Sequence, residues 1–300
     1  MALTLGIIGY GEVGGIFGRG LSKQDDIDSV WAWDIKFADP ATGTAAREAA
    51  QADGMHVAGS MQQLCAEADL LISAVTASNT FTVAEEAALH GRAGMRFLDL
   101  NSASPGTKQR AAAVLEAKGV GYVEAGVMTS VPPYGIRVPM LLGGPQAEAL
   151  AGTLATWGMD ARVVSEKLGV ASAIKMSRSI MIKGLEALVI ESYTTARRYG
   201  VEDHVLPTLK ETFPQIDWEK QGAYFFSRVV QHGKRRAEEM REAAQTVREA
   251  GFEPFMAAAT ASKQDWVAQR ARAGVFEGLD GKSPWQDYAD RLIDKASGDA

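Results

Sequence analysis

A short apolar, β-branched run, Leu3 to Ile8, stops at Gly9-Tyr10-Gly11-Glu12-Val13-Gly14, and Ile16, Phe17 and Leu21 then follow at helical spacing. Strand, glycine turn and helix in this order commit the amino-terminal half to an α/β layout. In such a turn Gly9 permits the tight bend, Gly11 lets a pyrophosphate approach the backbone, and Gly14 lets helix and strand pack closely. The helix start, from Tyr10 through Glu12 and Val13, supplies free N–H donors and a positive dipole end. Asp34 lies 20 residues after Gly14, closing a second strand read over Ser29 to Ile35. A carboxylate there can accept from both adenosine ribose hydroxyls, which favours NAD; NADP stays open because Lys36 can compensate a 2′-phosphate. The alternative is a glycine-rich turn that binds nothing.

Further strands fit Leu70 to Val75, Arg96 to Leu100, Gly121 to Glu124 and Met140 to Gly143, with helical stretches at Ala45 to Ala52, Met61 to Ala66, Val83 to His90 and Lys108 to Lys118. The alternation predicts an α/β Rossmann domain, doubly wound on a mostly parallel sheet, over residues 1–165. From Val170 no convincing strand recurs, which predicts an all-α C-terminal domain over residues 166–300. It opens with a long interdomain helix, about Val170 to Tyr199, roughly 45 Å at 1.5 Å per residue. Apolar residues on several of its faces, with an aromatic-rich helical half, call for partner surface, so a homodimer or larger homo-oligomer is expected.

Charge narrows the partners. Lys plus Arg number 31 against 37 Asp plus Glu, a net charge of -6, so no general basic field invites nucleic acid. No apolar run reaches the roughly 18–20 residues of a membrane span. Cys65, the single cysteine, makes no internal disulfide, and His56, His90, His204 and His232 lack zinc-ligand spacing, so no metal is expected. With no basic leader-like start, these features point to a cytoplasmic protein acting on a small molecule.

Four segments in order, GIIGYGEVG, Asp99-Leu-Asn-Ser102-Ala-Ser104-Pro105, Glu124-Ala-Gly126-Val-Met-Thr129-Ser130 and Gly169-Val-Ala171-Ser-Ala-Ile-Lys175, resemble the marks of the β-hydroxyacid dehydrogenases. That group includes 3-hydroxyisobutyrate, tartronate semialdehyde and 6-phosphogluconate dehydrogenases. The resemblance covers the whole chain, and Lys175-Met-Ser-Arg178-Ser179 with Lys183-Gly-Leu-Glu186 is similar to a phosphogluconate dehydrogenase-like branch. It implies an NAD(P)-dependent oxidoreductase that interconverts a small β-hydroxy acid, or a related hydroxy compound, with its carbonyl form by hydride transfer. Lys175 would be the general acid/base. Without the resemblance, a helical lysine reads as a solvated charge. The family's Asp-Ala-Pro-Val-Ser-Gly-Gly segment is rearranged here, so substrate identity does not carry over. The family's Asn one turn after the lysine is Ser179, beside Arg178, and the greater length of true 6-phosphogluconate dehydrogenases argues against that activity.

Arg178 and Ser179 lie within about 60° of Lys175 around a 3.6-residue helix, so all three can face one cleft. Arg178 can grip a carboxylate or form an interdomain ion pair. Ser102, Thr129 and Ser130 are the other expected substrate contacts; Ser102 and Ser104, just after a strand end, can contact nicotinamide or substrate or equally cap the helix after Pro105. Val75, Thr76 and Ser78 are expected beside the dinucleotide. Should Lys175 not move the proton, an ionisable group of the Glu124 to Ser130 segment comes next. Lys234-Arg235-Arg236 reads as a solvated helix face, and Trp218, Tyr224, Phe225 and Phe226 as core or subunit interface. Two rivals stay open: an imine reductase-like enzyme on the same fold, which a lysine at 175 argues against, and a non-catalytic dinucleotide-binding regulator.

Overall fold

The computed structural model describes residues 2–298 and divides into two compact units, Met1–Ser177 and Arg178–Ala300. The first holds β1 (Leu3–Ile8), α1 (Glu12–Leu21), β2 (Ile27–Trp33), α2 (Gly43–Ala52), β3 (His56–Val57), α3 (Met61–Glu67), β4 (Leu70–Ser73) and α4 (Thr80–His90). Then come β5 (Arg96–Asp99), α5 (Pro105–Glu116), β6 (Gly121–Val127), β7 (Met140–Gly143), α6 (Ala147–Thr156), β8 (Ala161–Ser165) and the start of α7 (Val170–Tyr199).

One sheet runs in the order β3-β2-β1-β4-β5-β6-β7-β8. Strands β1 to β6 are parallel, β7 is antiparallel to β6, and β8 is parallel to β7. Because strands buried on both faces need apolar residues throughout, β4 reads Leu-Leu-Ile-Ser with every residue buried. Leu5, Ile7, Phe17, Ile72, Leu98 and Val123 fill one face; Leu71, Phe97 and Tyr122 pack on Leu64, Ala84 and Leu115 on the other. The register aligns Trp33, Ile8, Ser73, Asp99 and Glu124 in one row across five strands. That row is the carboxyl edge, where α/β sheets hold their ligands.

Several boundaries move from their sequence positions. β2 spans Ile27–Trp33, and β6 continues past Glu124 to Val127 despite its glycine, because Glu124 to Val127 pair with Met140 to Gly143. β3 is a two-residue strand, and β8 alternates half-buried with exposed residues at the sheet's rim; neither carries the apolar run that reveals a strand in sequence. The division falls after Ser177, inside α7, rather than at 165/166, since the helix start is hydrogen-bonded into the sheet.

In the second unit the rest of α7 is joined by α8 (Glu202–Thr212), α9 (Trp218–Glu249), α10 (Phe255–Arg272) and α11 (Trp285–Gly298). Ile190, Tyr193, Trp218, Phe226, Trp285 and Tyr288 form the core. Phe225 is buried with them, whereas Tyr224 stays exposed. Arg236 corrects the solvated-face reading of its cluster. It is buried, with Nε 3.0 Å from Glu186 Oε2 and Nη2 on Oε1, while Lys234 is exposed.

Candidate active site

The carboxyl edge begins at the glycine turn. Gly9 has φ +87, and a Cβ there would stand 2.7 Å from the Ala74 carbonyl oxygen, so conformation and space both require glycine. A Cβ at Gly14 would overlap the Gly9 carbonyl oxygen, whereas one at Gly11 would meet no protein atom within 4 Å. No side chain caps α1 at Gly11. The amides of Glu12, Val13 and Gly14 thus lie at an uncapped helix start beside open space, the arrangement that receives a phosphate. These residues fit a dinucleotide.

Asp34, just past β2, accepts the Tyr10 N–H on Oδ2 at 2.7 Å and the Lys36 N–H on Oδ1 at 2.8 Å. It thereby ties the glycine turn to the second strand, and each carboxylate oxygen keeps a lone pair for a ribose hydroxyl. Lys36 itself is exposed. Tyr10 contributes its backbone; its ring turns toward Phe37, and its hydroxyl donates to Asp53 Oδ2 at 2.9 Å, which Arg19 also meets. Burial first, then the Asp53 carboxylate, raises the Tyr10 phenol above its ordinary range.

Asn101 links the next two turns. Its Oδ1 accepts the Val75 N–H at 2.7 Å and its Nδ2 donates to Ser73 Oγ at 2.9 Å, so the chain after β4 is tied to the chain after β5. Thr76 and Ser78 hydroxyls lie 3.2 Å apart on an exposed rim with Asn79 Nδ2 donating to Thr76. Beneath Asn101, Asp99 accepts its N–H at 2.9 Å and receives Lys108 Nζ and the Tyr122 hydroxyl. Burial, then the Asp99 charge, lifts the Tyr122 phenol well above its usual value. Ser104 caps α5 by accepting the Thr107 N–H at 3.2 Å, while Ser102 is half-buried at the turn.

Beyond β6, Thr129 and Ser130 are exposed. Lys175 stands against the same strand: a Cβ on Gly126 would lie 3.1 Å from the Ala171 carbonyl oxygen and 3.5 Å from Lys175 Cβ. Glu124 does not offer a spare ionisable group. Fully buried, it receives the Gly169 and Ala171 amides and the Ser172 hydroxyl. Arg178 and Ser179 belong to the second unit, where Arg178 is exposed. Ser179 is buried there and accepts from Lys183 Nζ at 3.4 Å, itself paired with Glu239 at 2.6 Å. Sequence reading singled out neither Asn101 nor Lys108; an Asn two residues past a buried Asp at a strand end was the available signal. Among the described residues no cluster of His, Cys, Asp or Glu is arranged to hold a metal ion, and no helix is long and apolar enough to cross a membrane.

Residues 4–155 match the NAD binding domain of 6-phosphogluconate dehydrogenase, and residues 196–267 match a domain of unknown function, DUF1932. The chain is similar to a conserved hypothetical protein from Sinorhizobium meliloti 1021, with 36% identity, coverage of 98% of this chain and 97% of that one, and a TM-score of 0.76. It is also similar to conserved protein MTH1747, whose structure is described as similar to 3-hydroxyacid dehydrogenases, at 29% identity over 90% and 98% of the two chains, TM-score 0.67. The 3-hydroxyisobutyrate dehydrogenase of Mycobacterium tuberculosis, solved with L-serine, shares the fold at 17% identity over 97% and 99%, TM-score 0.70.

Proposed function

The chain belongs to the β-hydroxyacid dehydrogenase family, and on that footing we propose that it is an NAD(P)-dependent oxidoreductase interconverting a small β-hydroxy acid and its carbonyl form. The observation that carries this reading is the placement of the phosphate cradle and Lys175 on one sheet edge within one unit. β2 and β6 stand four strand spacings apart, about 19 Å at roughly 4.8 Å each, a distance for a dinucleotide laid from Asp34 toward Lys175.

A bound nicotinamide supplies the hydride acceptor for alcohol oxidation and the hydride donor for carbonyl reduction. Lys175 holds the proton. Its neutral amine takes the hydroxyl proton as the carbon–hydrogen bond breaks, and its ammonium returns that proton in reduction. Ser102, Thr129 and Ser130 offer hydroxyls at the same edge for the substrate carboxylate. Asp34 supports NAD over NADP, because a 2′-phosphate there meets like charge. We also infer a homodimer or larger assembly, supported by Met181 and Leu188, exposed one heptad apart on α7, and by Tyr199, Phe252 and Phe255.

The test is turnover of 3-hydroxyisobutyrate and L-serine, both β-hydroxy acids, with each cofactor, against a panel of cyclic imines. Oxidation of a β-hydroxy acid supports the proposal. Preference for imines moves the chain to imine reduction, and tight cofactor binding without turnover of any panel member favours a regulator.

A further inference from the structure

Glu124 and Gly126 are two residues apart on β6 and so point to the same face of the sheet. Both meet the start of α7. Glu124 Oε1 accepts the Gly169 N–H at 2.7 Å and the Ala171 N–H at 3.2 Å, and Oε2 accepts the Ser172 hydroxyl. Amides at a helix start have no intrahelical acceptor, and a carboxylate placed there also faces the positive end of the helix dipole. The first bond of α7, Ala173 N–H to the Gly169 carbonyl at 2.8 Å, closes around the same residues.

The neighbouring strand makes room for this cap. Gly143 pairs with Glu124 in the register, and a Cβ at Gly143 would stand 2.5 Å from Oε1. Gly126 then provides clearance, since its missing side chain lets Ala171 and Lys175 lie on the strand. A cap usually comes from the residue preceding its helix. Here it comes from a strand 45 residues earlier, so it fixes where the helix sits as well as satisfying its amides. Lys175 follows Ala171 by four residues, about one turn, and shares its face. Three donors occupy the carboxylate and solvent does not reach it, so Glu124 is not placed to exchange a proton with substrate.

We propose that Glu124 is a positioning residue that, through the first turn of α7, holds Lys175 at the carboxyl end of β6. The inference rests on the proton-transfer role proposed for Lys175, and its test separates the two. Full-length wild type, Glu124→Gln and Glu124→Ala are reductively methylated with formaldehyde and cyanoborohydride, and the rate at each lysine is read by peptide mass spectrometry. Lys108, wholly buried in the same unit, reports general opening. In both variants Lys175 is expected to react at least about threefold faster while Lys108 stays slow, as for a locally released turn. On a β-hydroxy acid that wild type oxidises, kcat should fall on the order of 10- to 100-fold with the cofactor KM within about twofold, the effect of misplacing a reacting group. Wild-type labelling of Lys175 in the folded variants overturns the proposal. If Glu124→Ala also exposes Lys108, the isosteric Glu124→Gln decides. If wild type turns over nothing, the catalytic reading fails, and the labelling rate alone decides the positioning role.

Discussion

Lys108 Nζ lies 2.8 Å from Asp99 Oδ1 with both side chains sealed from solvent. The ammonium also donates to the Asp99 carbonyl oxygen at 3.1 Å, and the Tyr122 hydroxyl holds Oδ2 at 2.7 Å. Removing one partner leaves a buried charge uncompensated, a loss of about 3–5 kcal/mol. Lys108→Met is expected to lower the unfolding free energy by that amount in urea titrations, and adding Asp99→Asn to restore part of it. Unchanged stability in Lys108→Met would contradict this account of the pair.

The glycine turn separates folding from binding. Gly11 faces open space, so Gly11→Ala is expected to unfold at nearly the wild-type temperature yet bind NADH at least about tenfold more weakly, a loss of 1.4 kcal/mol or more. Gly14→Ala would drive its Cβ into the Gly9 carbonyl and should lower both. Calorimetric melting beside fluorescence titration distinguishes the two; equal NADH affinity in Gly11→Ala would remove the phosphate from this turn.

For Asp34, titration with both reduced cofactors is expected to give tighter NADH binding. Asp34→Asn should narrow the preference by about tenfold, or 1.4 kcal/mol. An unaltered ratio would mean that Asp34 serves only to hold the Tyr10 and Lys36 amides.

Lys175→Met is expected to leave dinucleotide affinity nearly intact and to reduce turnover on the order of 100-fold or more, the scale for losing a general acid/base. Near-normal turnover would reject the lysine mechanism, and the engaged carboxylate of Glu124 offers no ready substitute.

Met181 and Leu188 are exposed on one helix face. Light scattering of the wild type is expected to give at least twice the mass of a single chain, and Met181→Asp with Leu188→Asp to shift it toward one chain. A wild-type monomer at micromolar concentration rejects the assembly.

What could be read from sequence followed from local physics. Gly9 and Gly14, which no larger residue can replace, announced the turn between them, and β-branched runs announced the central strands. β8 escaped notice because its alternate residues face solvent at the sheet's rim. Arg236 looked solvated because its partner Glu186 is 50 residues earlier on another helix. Glu124 looked like a spare acid for the same reason, since the amides that engage it come 45 and 47 residues later. Long-range pairing of this kind leaves no periodicity in the chain.

The reversal of direction at β7 has a consequence for how this site can be retuned. A parallel successor to β6 would need a crossover of a dozen or more residues, usually a helix packed on the sheet. Because β7 is antiparallel, the chain from Val127 to Met140 turns back without an intervening α-helix, through a short 3-10 turn at Gly135–Arg137 whose Ile136 packs on Gly20 of α1. Thr129 and Ser130 ride on this segment. Under the proposed function, side-chain exchanges at the exposed Thr129 and Ser130 would change which molecules are accepted while Val131, Ile136 and Val138 keep the segment packed on the core, making these two positions the natural ones to randomise when engineering altered selectivity.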